Sequence, residues 1–280
     1  MPCIKRFEYK NRIEVFGANQ SGFHGSGHAN FCKRYYGAEQ NIGEGLSGQS
    51  YALPTKGYNI ETLPLNQIQE HIHVFNVFTQ QNPDKDFFVG RIGCGLAGYE
   101  DKQIIQLFKE FKWGKHVNFP GIWQPAFDKE SARHRIIVAG GREFDDMKLL
   151  ISVLDEQIQK LMDIGKKPII VSGTAKGADK MGEDYAKLRG LDWVEFPAPW
   201  EEFKQKFNNH RAAGFVRNSM MAQYSTALSA FWDGKSRGTS SMIDLADDFK
   251  LKTIVTRYDE LQKEMTLNNQ HTQEGSSTSP

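Results

Sequence analysis

The chain has 280 residues, with 35 Lys and Arg against 34 Asp and Glu, and is 39% hydrophobic and 12% aromatic. That length predicts two domains, and the apolar content suffices for real cores, which excludes global disorder. A formal net charge of +1 builds no basic field for duplex nucleic acid. No apolar run reaches the roughly 18 residues that span a bilayer, and the start Met-Pro-Cys-Ile-Lys-Arg has no secretion-signal core, so a cytoplasmic protein without a membrane partner is expected.

Residues 12–16 predict a buried strand. Glycine dominates the next stretch: eight of the 26 fall between Gly17 and Gly48, too many for regular structure, so loops around a short helix at 29–36 are expected. A short strand at 51–55 comes next. Leu65, Ile68, Ile72, Phe75 and Phe78 recur near helical spacing and predict a helix over 65–79. Residues 87–92 read as a strand, 93–98 as a glycine loop and 101–111 as a helix. Turn residues at 118–125 and charges at 128–134 mark a linker, with a domain boundary near residue 130.

The second half restarts with a strand at 135–139, a glycine turn and a helix over 146–164. A strand at 167–171 leads into the loop 172–179 and a helix through 188. Further strands are expected at 193–196, 226–232 and 253–256, with a helix at 238–249. Strands alternating with helices predict a doubly wound parallel sheet. The polar stretch from 263 to 280 is expected to be disordered. The fold class is therefore two α/β domains, 1–130 and 131–262, with a tail.

In open parallel sheets, ligands bind beyond the carboxyl ends of the strands. Three segments fall there: Gly140-Gly141-Arg142, the loop with Ser172, Gly173, Thr174, Gly177 and Asp179, and the run from Asp233 to Gly238 and Thr239. Glycines let backbone amides approach an anion, and a helix N-terminus adds about half a positive charge. Arg142 or Arg217 is a candidate to neutralise phosphate. Asp179 is placed to bond a ribose hydroxyl or to cap the helix behind it.

The ordered series Ala139-Gly-Gly-Arg-Glu-Phe-Asp145, Val171-Ser-Gly-Thr-Ala-Lys-Gly-Ala-Asp179, Pro199-Trp200, Ala213-Gly-Phe-Val-Arg-Asn218 and Phe231-Trp-Asp-Gly-Lys-Ser-Arg-Gly-Thr239 resembles the SLOG superfamily of Rossmann-like domains, in its YspA-type branch. The resemblance covers about residues 134–256. It implies recognition of nucleotides or NAD-derived molecules and adds Asn218 to the ligand-binding set. Relatives that hydrolyse nucleoside monophosphates carry a glutamate after the Gly-Thr pair. Here Ser240, Ser241 and Met242 stand there, which favours binding over catalysis in this half.

In the first half, Gly25 and Gly27 precede a helix and Gly93, Gly95, Leu96, Ala97 and Gly98 follow a strand, so two amide-rich loops are placed to grip a diphosphate. Tyr99 or Phe23 is a candidate to cover a ribose or base, and Asn19 and Gln49 suit ribose hydroxyls. The Gly-Ala-Asn loop leading to Gly25-Ser-Gly-His-Ala29, the stretch from Gly43 to Lys56, and Arg91 to Tyr99 resemble a macro domain in its divergent bacteriophage form. The resemblance implies ADP-ribose binding, with Asn19 near the distal ribose, Gly95 to Gly98 along the diphosphate and Tyr99 packed nearby. Asn19, His24, His28 and Glu44 are the candidate catalytic residues, since a hydrolase needs a base near the scissile bond.

Cys3, Cys32 and Cys94 form no Cys-x-x-Cys pair, so neither a disulfide framework nor a zinc site is indicated. His24 and His28 are spaced i, i+4 but lie among glycines, so no metal is expected, and no cofactor. The expected function is binding, and sequestration, of NAD-derived nucleotides such as ADP-ribose or cyclic ADP-ribose-like signals, as in a phage counter-defence protein working in the host cytoplasm. The alternative is a hydrolase of ADP-ribose derivatives in the macro-like half. Relatives are often oligomers, which makes a homo-oligomer the expected state.

Overall fold

The computed structural model describes residues 3–127, 133–207 and 211–260. The expected tail at 263–280 and most of the expected linker lie outside the described residues. The chain divides into two compact units, Glu8–Ala132, and Met1–Phe7 together with Arg133–Pro280. The chain opens on β1 (Lys5–Arg6), which belongs to the later unit.

The unit Glu8–Ala132 is built in the order β2 (Arg12–Asn19), α1 (Gly27–Tyr35), β3 (Gly45–Ser47), β4 (Ser50–Lys56), α2 (Leu65–Gln81), β5 (Asp86–Val89), α3 (Asp101–Lys109), β6 (Val117–Asn118) and α4 (Gln124–Phe127). Its five-stranded sheet has the order β3-β4-β2-β5-β6, parallel except for the β3–β4 hairpin. β2 runs past the predicted strand because Gly17, Ala18 and Asn19 pair with Leu53, Pro54 and Lys56 of β4. Cross-strand pairing overrides the local weakness of glycine there. β5 ends three residues before the predicted 92, where Ile92 N bonds Gly90 O at 2.8 Å and turns the chain away. β3 was not predicted, since its three residues lie in the glycine-rich stretch. The predicted helical stripe is real: Ile68, Ile72 and Phe75 of α2 are fully buried against Val15, Leu53 and Phe87. Each such side chain contributes about 1.5–3 kcal/mol of burial.

The second unit continues with β7 (Arg135–Gly140), α5 (Met147–Met162), β8 (Ile169–Ser172), α6 (Ala178–Arg189), β9 (Asp192–Glu195), α7 (Trp200–Phe207), α8 (Arg211–Tyr224), β10 (Ala227–Trp232), α9 (Arg237–Asp248) and β11 (Lys252–Arg257). The six-stranded sheet is parallel throughout, in the order β1-β9-β8-β7-β10-β11. From β7 the chain steps outward to β8 and β9, then returns across β7 to β10 and β11. The order therefore reverses between β7 and β10, the topological switch point of a doubly wound sheet. Both predicted properties, α/β layering and a parallel sheet, hold here.

Leu150, Leu154 and Ile158 line one face of α5 in steps of four and are buried against Ile136 and Val138. The Asp146 carboxylate accepts from Leu149 N at 2.9 Å and caps that helix. At Gly182 of α6, an added Cβ would lie 2.8 Å from the Val138 side chain, so glycine sets the helix close against β7. The predicted sequence elements omit α7 and α8. The buried face of α8 is Ala212, Ala213, Val216, Met220 and Met221, mostly small or flexible residues broken by Gly214, which hides the helical stripe. No helix among the described residues is long and apolar enough to cross a membrane.

Candidate functional site

The larger cleft, about 700 Å³, lies at the carboxyl ends of β7 and β10, beside the reversal of strand order. Gly140, Gly141, Arg142, Asp179, Arg217, Asn218, Asp233, Gly238 and Thr239 all line it. An added Cβ on Gly140 would lie 2.4 Å from Phe231 O, so only glycine fits between β7 and β10 at this point. Gly177 has φ +77°, and a Cβ there would meet Gly141 O at 2.2 Å. It holds the turns after β7 and β8 together rather than lining the cleft. An adjoining cleft of about 360 Å³ is lined by Gly173, Thr174, Lys176, Arg142 and Arg217.

The polar groups divide into those that are used and those that are free. Asp179 is buried, its carboxylate lies 3.2 Å from Arg217 Nη1, and it accepts from the amides of Ala175 and Gly173. Burial pushes its carboxyl up, with Arg217 and the amides opposing that rise. Arg217 also donates to Gly173 O, and its Nε donates to Asn218 Oδ1 at 2.9 Å. Asn218 Nδ2 donates in turn to Gly238 O at 3.1 Å. Asp179, Arg217 and Asn218 thus form a strut between the loop after β8 and the start of α9. Ser172 sits beneath, bonded to Glu183 at 2.8 Å and to Thr174 N at 3.0 Å. Asp233 accepts from Lys235 N and Ser236 N at 2.9 and 2.7 Å, which holds its carboxyl below the usual value and shapes the turn into α9.

Among the described residues, Arg142 and Arg237 line the same cleft and have no carboxylate partner. The N-cap Ser236 makes no side-chain cap, and the first turn of α9 opens onto the cleft at Gly238, where a Cβ would meet nothing within 4 Å. Two guanidinium groups and an open helix start are the chemistry that suits an anion. Trp200 and Phe215, 41% and 40% exposed, add an aromatic wall with Tyr258. Arg237, Trp200 and Phe215 were not among the predicted site residues. Arg237 is in the Phe231–Thr239 motif, and α7 and α8, which carry the two aromatics, were not predicted.

The unit Glu8–Ala132 has its own cleft of about 260 Å³. It lies at the carboxyl ends of β2, β4 and β5, and the sheet order reverses between β2 and β5. Asn19, Gly25, Gly27, His28, Gly93, Gly95, Leu96 and Ala97 line it, so the two predicted loops do meet. Among the described residues the amides of Gly95, Leu96 and Ala97 have no backbone partner, and N-cap Ser26 leaves the start of α1 without a side-chain cap. Lys56 lines the cleft with no ion-pair partner among the described residues. It belongs to the motif that ends at residue 56 but was not predicted as a site residue. Phe23, Ile60 and Leu96, all largely exposed, rim the opening.

Other predicted residues are engaged in local bonds or lie elsewhere. Asn19 spends its side chain on the local turn, accepting from Ser21 Oγ and Phe23 N at 2.7 and 2.9 Å and donating to Phe23 O at 2.8 Å. His24 is buried beneath the loop with its ring edge-on to Phe16, and burial pushes it down, toward the neutral form. It does not line the cleft, so it is not the expected base. Glu44 pairs with His71 at 2.8 Å, also outside the cleft lining. Gln49 lies in the β3–β4 turn at the opposite end of the sheet, donating to Tyr9 O at 3.1 Å, so it is no ribose partner. Gly98 turns the loop at φ +81°, and Tyr99 bonds Leu63 O at 2.6 Å and packs on the core rather than over the cleft. Cys3, Cys32 and Cys94 form no disulfide; Cys32 is buried and the other two are half-buried. No group of three or more metal-ligating side chains converges among the described residues.

The reversed parallel sheet with its glycine-lined cleft defines the second unit as a Rossmann-like α/β domain of nucleotide-binding architecture. Residues 134–203, which run from the start of β7 into α7, match the family model described as the YspA, cpYpsA-related SLOG family. That match supports the resemblance of the second half and does not extend to the macro-like reading of the first. No curated protein and no solved structure matches the chain.

Proposed function

We propose that the protein binds phosphate-bearing, NAD-derived nucleotides, and that the cleft at the β7–β10 reversal is the principal seat. The observation that carries this reading is the pair Arg142 and Arg237 facing one cleft beside the open start of α9. The two charge-assisted contacts contribute about 1.5–3 kcal/mol each. Trp200 and Phe215 supply the stacking surface for a base. The first two turns of α9 offer Ser240, Ser241 and Met242 but no carboxylate, which favours retention of the ligand over its cleavage.

In the first unit, we propose an ADP-ribose-like ligand whose phosphates rest on the amides of residues 95–97 and the start of α1, with Lys56 as the cation. Two clefts for one ligand chemistry fit a protein that sequesters a nucleotide signal, such as a bacteriophage product that removes a host messenger. Calorimetry with AMP, ADP-ribose, cyclic ADP-ribose and NAD, followed by heat release and mass spectrometry, tests it. Tight binding with release of intact ligand is expected. No binding to any of the four at millimolar concentration would refute it.

A hydrolase of ADP-ribose derivatives is the second reading. It is favoured by His28, which lines the first cleft and hydrogen-bonds a buried carboxylate.

A further inference from the structure

His28 stands in the first turn of α1, and its Nε2 lies 3.0 Å from Glu14 Oε1. Glu14 comes from the middle of β2 and is buried, 2% exposed. Its other oxygen accepts from Arg12 Nε at 2.6 Å, and the Arg12 guanidinium lies 3.9 Å from the centre of the Phe88 ring. The carboxylate is therefore fixed from behind before it meets the histidine. Burial pushes Glu14 up, but Arg12 and His28 outweigh it and hold the carboxyl below its usual value. Cys32 and Tyr36, which face the pair, are both pushed far up by burial and hence uncharged, and Lys56 and Arg91 line the same cleft as His28.

An ionised Glu14 only accepts, so Nε2 carries the hydrogen and Nδ1 keeps its lone pair. Among the described residues Nδ1 has no hydrogen-bond partner. Gly90, just past β5, makes room for that edge of the ring: a Cβ there would lie 2.5 Å from Cε1 and 2.7 Å from Nδ1.

We propose that His28 is the proton acceptor of the first cleft and that Glu14, backed by Arg12, is the positioning residue that fixes its tautomer. This role rests on the hydrolase reading. A water beside Nδ1 gives up its proton to that nitrogen as its oxygen bonds to the electrophilic atom of the ligand. The bond from that atom to the leaving oxygen breaks, and the imidazolium passes the proton to the leaving oxygen. Water is the sole co-reactant.

The test uses the full chain with 15N-labelled histidine rings, the His28 signals being assigned with His28→Gln. Hydrogen on Nε2 and a bare Nδ1 are expected in the parent chain, and a mixture of the two tautomers in Glu14→Gln. Hydrogen on Nδ1 in the parent chain, or an unchanged tautomer in that variant, overturns the proposal. If Glu14→Gln does not fold, Glu14→Asp, with its carboxylate withdrawn by one methylene, must loosen the same tautomer preference. These readouts need no ligand, so they stand or fall apart from the nucleotide reading, which the calorimetry decides. Turnover of a panel of ADP-ribose derivatives should fall by about a hundredfold or more in His28→Gln, and kcat should fall in Glu14→Gln at unchanged KM. No turnover, or turnover unaffected by His28→Gln, removes the proton-acceptor role.

Discussion

Replacing Arg217 by Met tests whether this arginine is a strut or a free phosphate ligand. Asp179 and Arg217 have side chains only 5% and 13% exposed, 3.2 Å apart. Removing one member of a buried pair typically costs about 3–5 kcal/mol, because the remaining charge is left without its partner. Asp179 keeps its bonds from the amides of Ala175 and Gly173, so the lower end, about 3 kcal/mol at neutral pH, is expected. The pH dependence has a definite sign. Burial raises the Asp179 carboxyl above its value in the unfolded chain, while Arg217 opposes that rise. Loss of Arg217 raises it further, so the folded variant takes up a proton at a higher pH than the unfolded chain does. The penalty is then greatest above the folded pKa and shrinks as the pH falls toward the unfolded value. Hydrogen exchange at β7, β8 and β10 reports the opening of this unit alone, and 3 kcal/mol corresponds to exchange faster by on the order of a hundredfold. A change under tenfold at pH 7, or a change that does not diminish toward pH 5, would show that Asp179 does not depend on Arg217.

Arg237→Ala and Arg142→Ala should each weaken nucleotide binding by about tenfold to a hundredfold, with thermal stability unchanged because both side chains are exposed; equal affinity in isothermal titration would move the anion seat elsewhere. Gly177→Ala combines a positive φ with a Cβ 2.2 Å from Gly141 O and should destabilise by about 2 kcal/mol or more, read as a lowered urea midpoint. Tyr99→Phe removes the bond to Leu63 O and should cost about 1 kcal/mol without altering ADP-ribose affinity; a large affinity loss would return Tyr99 to the cleft. Leu96→Ala, at a side chain 71% exposed, should leave the melting temperature unchanged and weaken ADP-ribose binding.

The sequence carried the layering and the loops well, because both depend on local chemistry. The apolar run at Ile136, Ile137 and Val138 and the glycines at 140 and 141 announce a buried strand and a tight turn without reference to the rest of the chain. Roles that depend on distant partners did not show. Arg217 looks like a free cation until Asp179 and Gly173, some forty residues earlier, close around it. Gln49 and Tyr99 lie near glycine loops in sequence, but one lies at the far end of its sheet and the other turns inward to Leu63. Glu14 gives no signal, because a carboxylate inside an apolar strand declares no purpose until His28 and Arg12 are brought to it. α8 escaped because a helix packed through Ala and Met carries little periodic contrast.

β1 has a consequence for synthesis. Lys5 and Arg6 pair with Val194 and Glu195, and Phe7 stacks on Phe196 at 4.6 Å. The first strand of the later sheet therefore leaves the ribosome before the whole of the earlier unit and waits for a partner almost two hundred residues behind it. The unit Glu8–Ala132 can complete its own sheet while that strand remains unpaired. A gene fragment that starts at residue 133 omits the strand and leaves the edge of β9 uncovered, ready to pair with another chain. Fragments meant to isolate the second unit should carry residues 3–7 fused ahead of it, and their solubility relative to the plain fragment would measure what that short strand protects.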